Sequence, residues 1–217
     1  LIPLALSPER REARRRNLIE AAEALIREAG DAGFQMRELA ARAGVSPATP
    51  YNLIGGKGEI LRLVVRDEFA GFEARLEALP PMSPLKRLMA ATDEVVTHYE
   101  ADRGFHRGLI QAAFGAAEPE VRQFMGVEGL ALWQGLVAAA LEAGELSAAL
   151  RAGPLTNILL RTIAGVAEAW ITEDWDEARF RLEMTAAVGL LLAAGAAEPL
   201  RLDLLARAAA AQQAIAG

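Results

Sequence analysis

Residues 36–52 read MRELAARAGVSPATPYN. Met36, Leu39, Ala40 and Ala43 recur at helical spacing, so a helix is expected over about 35–43. Gly44 follows it as the residue suited to a left-handed turn. Ser46-Pro47 then reads as an N-cap and first-turn proline, opening a short helix to about Asn52. Two short helices joined by a tight glycine turn make a helix-turn-helix pattern. Ala40 is small enough for the helices to cross closely, and Leu39 and Val45 face the core beneath them. Such a motif reads DNA when its second helix enters the major groove with short side chains aimed at base edges. Ser46, Pro47, Ala48 and Thr49 have that shape, and Tyr51 and Asn52 add polar tips that reach phosphate or base. Pro50 stands at N4 counted from Ser46. Its missing N–H removes the first intrahelical bond, which predicts a shortened or kinked helix.

On the N-terminal side, Leu18, Ile19, Ala22, Leu25, Ile26 and Ala29 lie on one face of a helix expected over 8–29, capped by Ser7-Pro8 and ended by Gly30. On the C-terminal side, Gly55 and Gly56 break the chain before a helix over 57–79. Further helices fit 85–101, 104–116, 119–143, 154–172, 176–195 and 199–214, punctuated by proline, glycine or acidic turns. No strand-like alternation is bounded by turn signals, and the fold class is all-α: an N-terminal three-helix domain carrying the helix-turn-helix, then a larger helical domain. The domain boundary is placed between 1–56 and 57–217.

The 217 residues carry a formal charge of −6, which argues at first against a nucleic-acid partner. Position reverses that argument. Residues 1–66 hold 11 basic and 8 acidic side chains, while 67–217 hold 12 and 21. Arg10, Arg11, Arg14, Arg15 and Arg16 cluster within seven residues, making a basic head on an acidic body. A hydrophobic content of 53% excludes an intrinsically disordered chain. The sequence has no cysteine, hence no disulfide framework and no thiolate metal site, which fits a reducing cytoplasm. No stretch of 18 apolar residues is free of charge, so no membrane span or membrane partner is expected. Leu1–Leu6 is too short for a secretory signal.

The first helix, the helix-turn-helix and the run Tyr51 to Lys57-x-Glu59-Ile60-Leu61 resemble the tetracycline-repressor (TetR) family. The resemblance covers about residues 10–65 and rests on Gly33-Phe34, Leu39-Ala40, Gly44-Val45-Ser46, Thr49, Tyr51 and Lys57. It implies a cytoplasmic, dimeric transcription regulator, most often a repressor, released from a near-palindromic operator in double-stranded DNA by a small, mostly apolar effector. No cofactor is implied and no enzyme activity is expected. Thr49, Tyr51 and Lys57 match positions that usually touch phosphate, Ser46, Pro47 and Ala48 positions that usually read bases. Arg37 is assigned to phosphate or base. The effector cavity is placed among the central helices, where Thr92, His98, Tyr99, Phe105, Phe114, Trp133, Asn157 and Trp170 are candidate contacts.

Two further patterns compete with plain packing. Residues 184–195, MTAAVGLLLAAG, are rich in small and apolar residues and need cover on several sides. A homodimer interface made of 154–172 and 176–195 from two chains supplies it. Glu94, His98 and Asp102 fall at i, i+4 and i+8, with His106 on the next helix. Two histidines and no thiolate make a weak metal set, and polar lining is the preferred reading, with no metal assigned. The rival functions are a helical protein-interaction module or small-molecule-binding protein without specific DNA binding, and an all-α enzyme. The enzyme reading has no HExxH, phosphate loop or Ser/His/Asp grouping behind it.

Overall fold

The computed structural model describes residues 7–114 and 119–216, all helix and turn apart from one isolated antiparallel bridge. The elements are α1 (Pro8–Ala29), α2 (Met36–Arg42), α3 (Thr49–Leu53), α4 (Lys57–Glu77), α5 (Pro84–Ala101), α6 (Arg103–Phe114), α7 (Pro119–Glu142), α8 (Ala152–Thr172), α9 (Glu177–Ala193) and α10 (Leu200–Ala216). The all-α reading therefore holds among the described residues. Residues 115 and 116, expected at the end of the sixth helix, lie outside them, as does Leu1–Leu6.

The expected boundaries of α1 coincide with the observed ones because both ends carry their own chemistry. Ser7 Oγ accepts from Arg10 N at 3.3 Å, satisfying an otherwise orphaned first-turn donor. Gly30 sits at φ 68° and its N–H donates to Ile26 O at 2.8 Å, the left-handed ending glycine permits.

The chain forms two compact units. The first is Leu1–Phe69 with Asp102–Met125. Its core joins Leu18, Ala22 and Ile26 of α1 to Leu39 of α2, Ile60, Leu61 and Val64 of α4, and Phe105 and Leu109 of α6. α6 lies very close to α1: a Cβ built at Gly108 falls 2.6 Å from Ile26 Cγ2, and one at Gly104 falls 3.0 Å from Arg27 O. Arg27 adds an ion pair to Asp102 at 2.6 Å and lies over the Phe105 ring. Glu23 on α1 is half-buried, and its carboxyl is pushed up by burial and then by Glu68, Asp67 and Glu20, with Arg27 pulling it back.

The second unit is Ala70–Ala101 with Gly126–Gly217. Here α9 packs against α5, α8 and α10. Phe180, Met184, Val188 and Leu192 of α9 are buried with Leu88 and Val96 of α5, Leu159 and Trp170 of α8, and Leu204 and Ala208 of α10. Gly189 lets α10 approach, its virtual Cβ lying 3.3 Å from Ala208 Cβ. The bridge pairs Leu146 with Ala196: Ser147 N donates to Gly195 O and Ala197 N to Glu145 O.

The stretch Val121–Glu142 of α7 is long and apolar enough to cross a membrane by length and composition, and 22% of its apolar window is buried. Sequence reading set no span here because Arg122 and Glu128 interrupt it. Arg122 donates to Ala113 O at 2.6 Å and to Phe114 O at 3.1 Å, so this charge is spent on protein carbonyls.

Candidate nucleic-acid interface and effector region

The helix-turn-helix is held from behind. Leu39, Ala40, Ala43 and Pro50 are buried where α2 and α3 pack on α1 and on each other, while Arg37, Ser46, Pro47, Ala48, Tyr51 and Asn52 are exposed. Asn17 of α1 donates its Nδ2 to Ala43 O at 2.9 Å, tying the end of α2 to the first helix. Glu38 accepts from Gln35 N at 2.8 Å and closes the start of α2. Gly44 takes φ 65°, as the turn requires. A bidentate pair between Arg42 and Glu28 adds a second tie, and the arginine holds the Glu28 carboxyl below its ordinary range.

The second helix of the motif departs from expectation. It starts at Thr49 instead of Pro47 and runs five residues. Ser46 is not its cap. The Ser46 carbonyl accepts from Thr49 N at 2.9 Å, and Ser46 Oγ lies 2.8 Å from Thr49 Oγ1. Pro50 explains the delay. It has no N–H to give Ser46, so the chain closes a tighter turn first and begins the helix with Pro50 in its first turn, where no donor is needed. Ser46–Ala48 therefore present themselves from a turn, not from a helix.

Tyr51 is 57% exposed, an unusual placement for a large ring with no packing role. Lys57 opens α4, its ammonium 5.0 Å from the centroid of the Phe34 ring. The dipole of α4 adds positive potential at that helix start. Glu59 in the same turn is bound by Arg62 at 2.6 and 2.9 Å, which pulls its carboxyl down and neutralises it locally. Thr49 is half-buried.

The second unit contains a run of aromatic contacts. Trp170 stacks on Phe180 at 4.9 Å, Tyr99 meets both at 6.0 and 6.4 Å, and His98 lies 6.0 Å from Tyr99. Phe72 continues the run to His98 at 5.9 Å and to Trp133 at 6.4 Å. Polar ends are anchored: Trp170 Nε1 donates to Glu100 at 2.7 Å, and Arg75 Nη2 meets His98 Nδ1 at 2.7 Å. Arginine offers only donors, so Nδ1 accepts and the ring proton of this tautomer sits on Nε2. Arg75 also pairs with Glu94 at 3.0 Å.

Of the candidate effector contacts, His98, Tyr99, Trp133 and Trp170 thus come together. Thr92 is fully buried and donates its hydroxyl to Met89 O at 2.7 Å. Asn157 is exposed on α8. Phe105 and Phe114 lie in the first unit, where Phe105 is buried edge-on to His106 and Phe114 is 42% exposed. Phe72, Phe180, Arg75 and Glu100 were not singled out in the sequence. Only the i, i+4 spacing of Glu94 and His98 hinted at a shared partner, and Arg75 fills that place.

Comparisons with known proteins fit this arrangement. Residues 18–64 match the family of bacterial regulatory proteins described as the tetR family. Among solved structures, the chain is similar to SmeT, the repressor of the Stenotrophomonas maltophilia multidrug efflux pump SmeDEF. The identity is 20%, the TM-score 0.69, and 86% of this chain and 92% of that one are covered. It is similar to the fatty acid degradation regulator FadR from Bacillus halodurans at 19% identity and TM-score 0.67, covering 87% and 96%. It is also similar to RolR, solved with resorcinol, at 19% identity and TM-score 0.66, covering 91% and 96%. No curated protein sequence matches the chain.

Proposed function

We propose, from the match of residues 18–64 to the tetR family of bacterial regulatory proteins and from a fold similar to solved regulators of that family, that this chain is a ligand-responsive transcriptional repressor. The observation that carries the reading is the exposed side of the helix-turn-helix. Arg37, Ser46, Pro47, Ala48, Tyr51 and Asn52 face solvent over a buried support, on a basic head attached to an acidic body. Thr49, Tyr51 and Lys57 are assigned to phosphate, Ser46, Pro47 and Ala48 to bases, and Asn52 and Arg37 to either. Phosphate contacts supply affinity and register; base contacts supply choice of site.

In this reading residues 1–56 bind DNA, and 57–217 bind the effector and pair two chains. Two recognition elements about 34–36 Å apart enter successive major grooves of a near-palindrome. Pairing is assigned to 154–172 and 176–195. Ile158 on α8 is 48% exposed and Leu190 on α9 is 43% exposed, which suits an interface. The effector is small and mostly apolar, bound in the second unit beside His98, Tyr99, Trp133 and Trp170, with Thr92 and Asn157 as further assigned contacts. The resorcinol bound to RolR and the fatty acid degradation that FadR regulates support an apolar or aromatic class. Its effect equals its differential affinity for the DNA-bound and free states. The assigned chemistry is binding, not catalysis, and the assigned location is the cytoplasm.

Gel-shift assays against genomic fragments with a salt titration test this. A specific fragment is expected to bind and to weaken steeply with salt. A folded dimer that selects no fragment at any salt concentration refutes it.

A further inference from the structure

Helices α5 and α10 both pack on α9 and leave a cleft of about 380 Å³ between them. That is near the lower end of ligand-sized cavities. Leu85, Met89 and Leu204 give it an apolar floor. Four charged residues surround that floor: Lys86 and Asp93 from α5, Asp203 and Arg207 from α10. Among the described residues, none of these four side chains forms an ion pair or hydrogen bond. It is the Asp93 carbonyl, not its carboxylate, that meets Arg181 and Thr97.

Three arginines elsewhere in the unit contrast with them. Arg75, Arg179 and Arg181 are paired with Glu94, Glu183 and Glu177 at 2.6–3.0 Å. Around the cleft, two charges of each sign stand open to one another and stay apart. Asp93 is half-buried, and burial pushes its carboxyl up. Arg207 and then Arg181 pull it back, so Arg207 is close enough to act on Asp93 yet outside ion-pair distance. A lining that sums to neutrality disfavours a ligand of net charge. Separated opposite charges over an apolar floor favour a ligand carrying both.

The geometry points to a second ligand site: the α5–α10 cleft takes a small zwitterion with an apolar side group, the chemistry of a free hydrophobic α-amino acid. Its ammonium meets Asp93, its carboxylate meets Arg207 and Lys86, and its side group covers Leu85, Met89 and Leu204. None of the residues assigned to the effector or to DNA lines this cleft.

Calorimetric titration of the full chain tests it, with L-leucine and L-phenylalanine as probes. Isoamylamine lacks the carboxylate of leucine, and 4-methylpentanoate lacks its ammonium. At least one amino acid is expected to bind. Asp93→Asn and Arg207→Gln are each expected to weaken it about tenfold or more, as the loss of a charge-assisted contact does. Both singly charged analogues are expected to bind weaker than leucine by a similar factor. Arg207 is exposed, so Arg207→Gln decides the matter if Asp93→Asn disturbs the circular dichroism spectrum. Neither amino acid binding at millimolar concentration overturns the proposal. Binding untouched by Arg207→Gln, or an amine that binds as tightly as leucine, overturns it equally.

Discussion

Replacing Gly108 by alanine tests how closely α1 and α6 are fitted. The new Cβ would stand 2.6 Å from Ile26 Cγ2, 3.1 Å from Asp31 N and 3.2 Å from Gly30 C. None of these neighbours moves freely. Ile26 is fully buried, and the Gly30–Asp31 backbone is held by the left-handed Gly30 and by the Gly33 N–H on Asp31 Oδ1 at 2.6 Å. Over-packing of this kind costs about 1–3 kcal/mol. Alanine in a helix interior returns about 0.5–1 kcal/mol relative to glycine. The net loss expected is centred on about 1 kcal/mol, or a melting temperature lower by about 2–4 °C for a chain of this size. Gly135→Ala on α7 isolates the backbone effect, since nothing lies within 4 Å of its virtual Cβ. It should gain about 0.5–1 kcal/mol. Urea denaturation of both variants at one protein concentration measures the two terms. If Gly108→Ala matches or exceeds wild type while Gly135→Ala gains, the close α1–α6 fit is wrong.

Tyr51→Ala and Lys57→Ala should weaken binding to specific and random duplexes alike, and Lys57→Ala should lower the salt slope by about 1, whereas changes at Ala48 should alter the preferred sequence. An unchanged slope in Lys57→Ala removes its phosphate assignment. Ile158→Asp with Leu190→Asp should yield monomers in sedimentation velocity; a surviving dimer moves the interface away from α8 and α9. Glu23 has a raised carboxyl, so the folded chain holds a proton there that the unfolded chain has already lost. Stability from this group is therefore present at low pH and is lost as pH rises from the ordinary carboxylate range through the folded value. Glu23→Gln should be more stable than wild type at neutral pH and equal to it well below the ordinary range, as read from denaturation midpoints. A difference independent of pH contradicts that sign.

Local chemistry was legible where it was complete within a few residues. Ser7, Pro8 and Gly30 carry both ends of α1, and Gly44 carries the turn of the motif, so pattern and structure agree there. The start of α3 was not legible to the same degree. Pro50 announced a disturbance, but its form depended on what the Ser46 carbonyl would accept instead. The aromatic run of the second unit was readable only as a set of aromatic residues on helices. Which of them meet depends on pairings of α5 with α8 and α9 across 70 or more positions, as in the Trp170–Glu100 bond. Phe105 shares helical spacing and ring chemistry with the others, and its place in the core beside α1 is equally silent in the sequence. The packing glycines of α6 were silent, because a glycine inside a helix looks like a weakness until its neighbour is known.

The position of Pro50 also bears on how this chain tolerates change. A proline in a first turn takes nothing from the folded helix, and it restricts the unfolded chain. A helix of five residues has little intrinsic stability to lose, so that restriction helps it persist. The effect is confined to one site. Two residues later, Asn52 N donates to Ala48 O at 3.1 Å, and a proline there would delete one of the few bonds the helix possesses. Exchanging Pro50 for a residue with an N–H would offer the Ser46 carbonyl a new donor and let the helix grow backward by a turn. Ser46–Ala48 would then be swung onto a helical surface and, in the proposed function, would meet a different set of base edges. If the proposed reading holds, one codon separates two geometries of the recognition segment on the same scaffold.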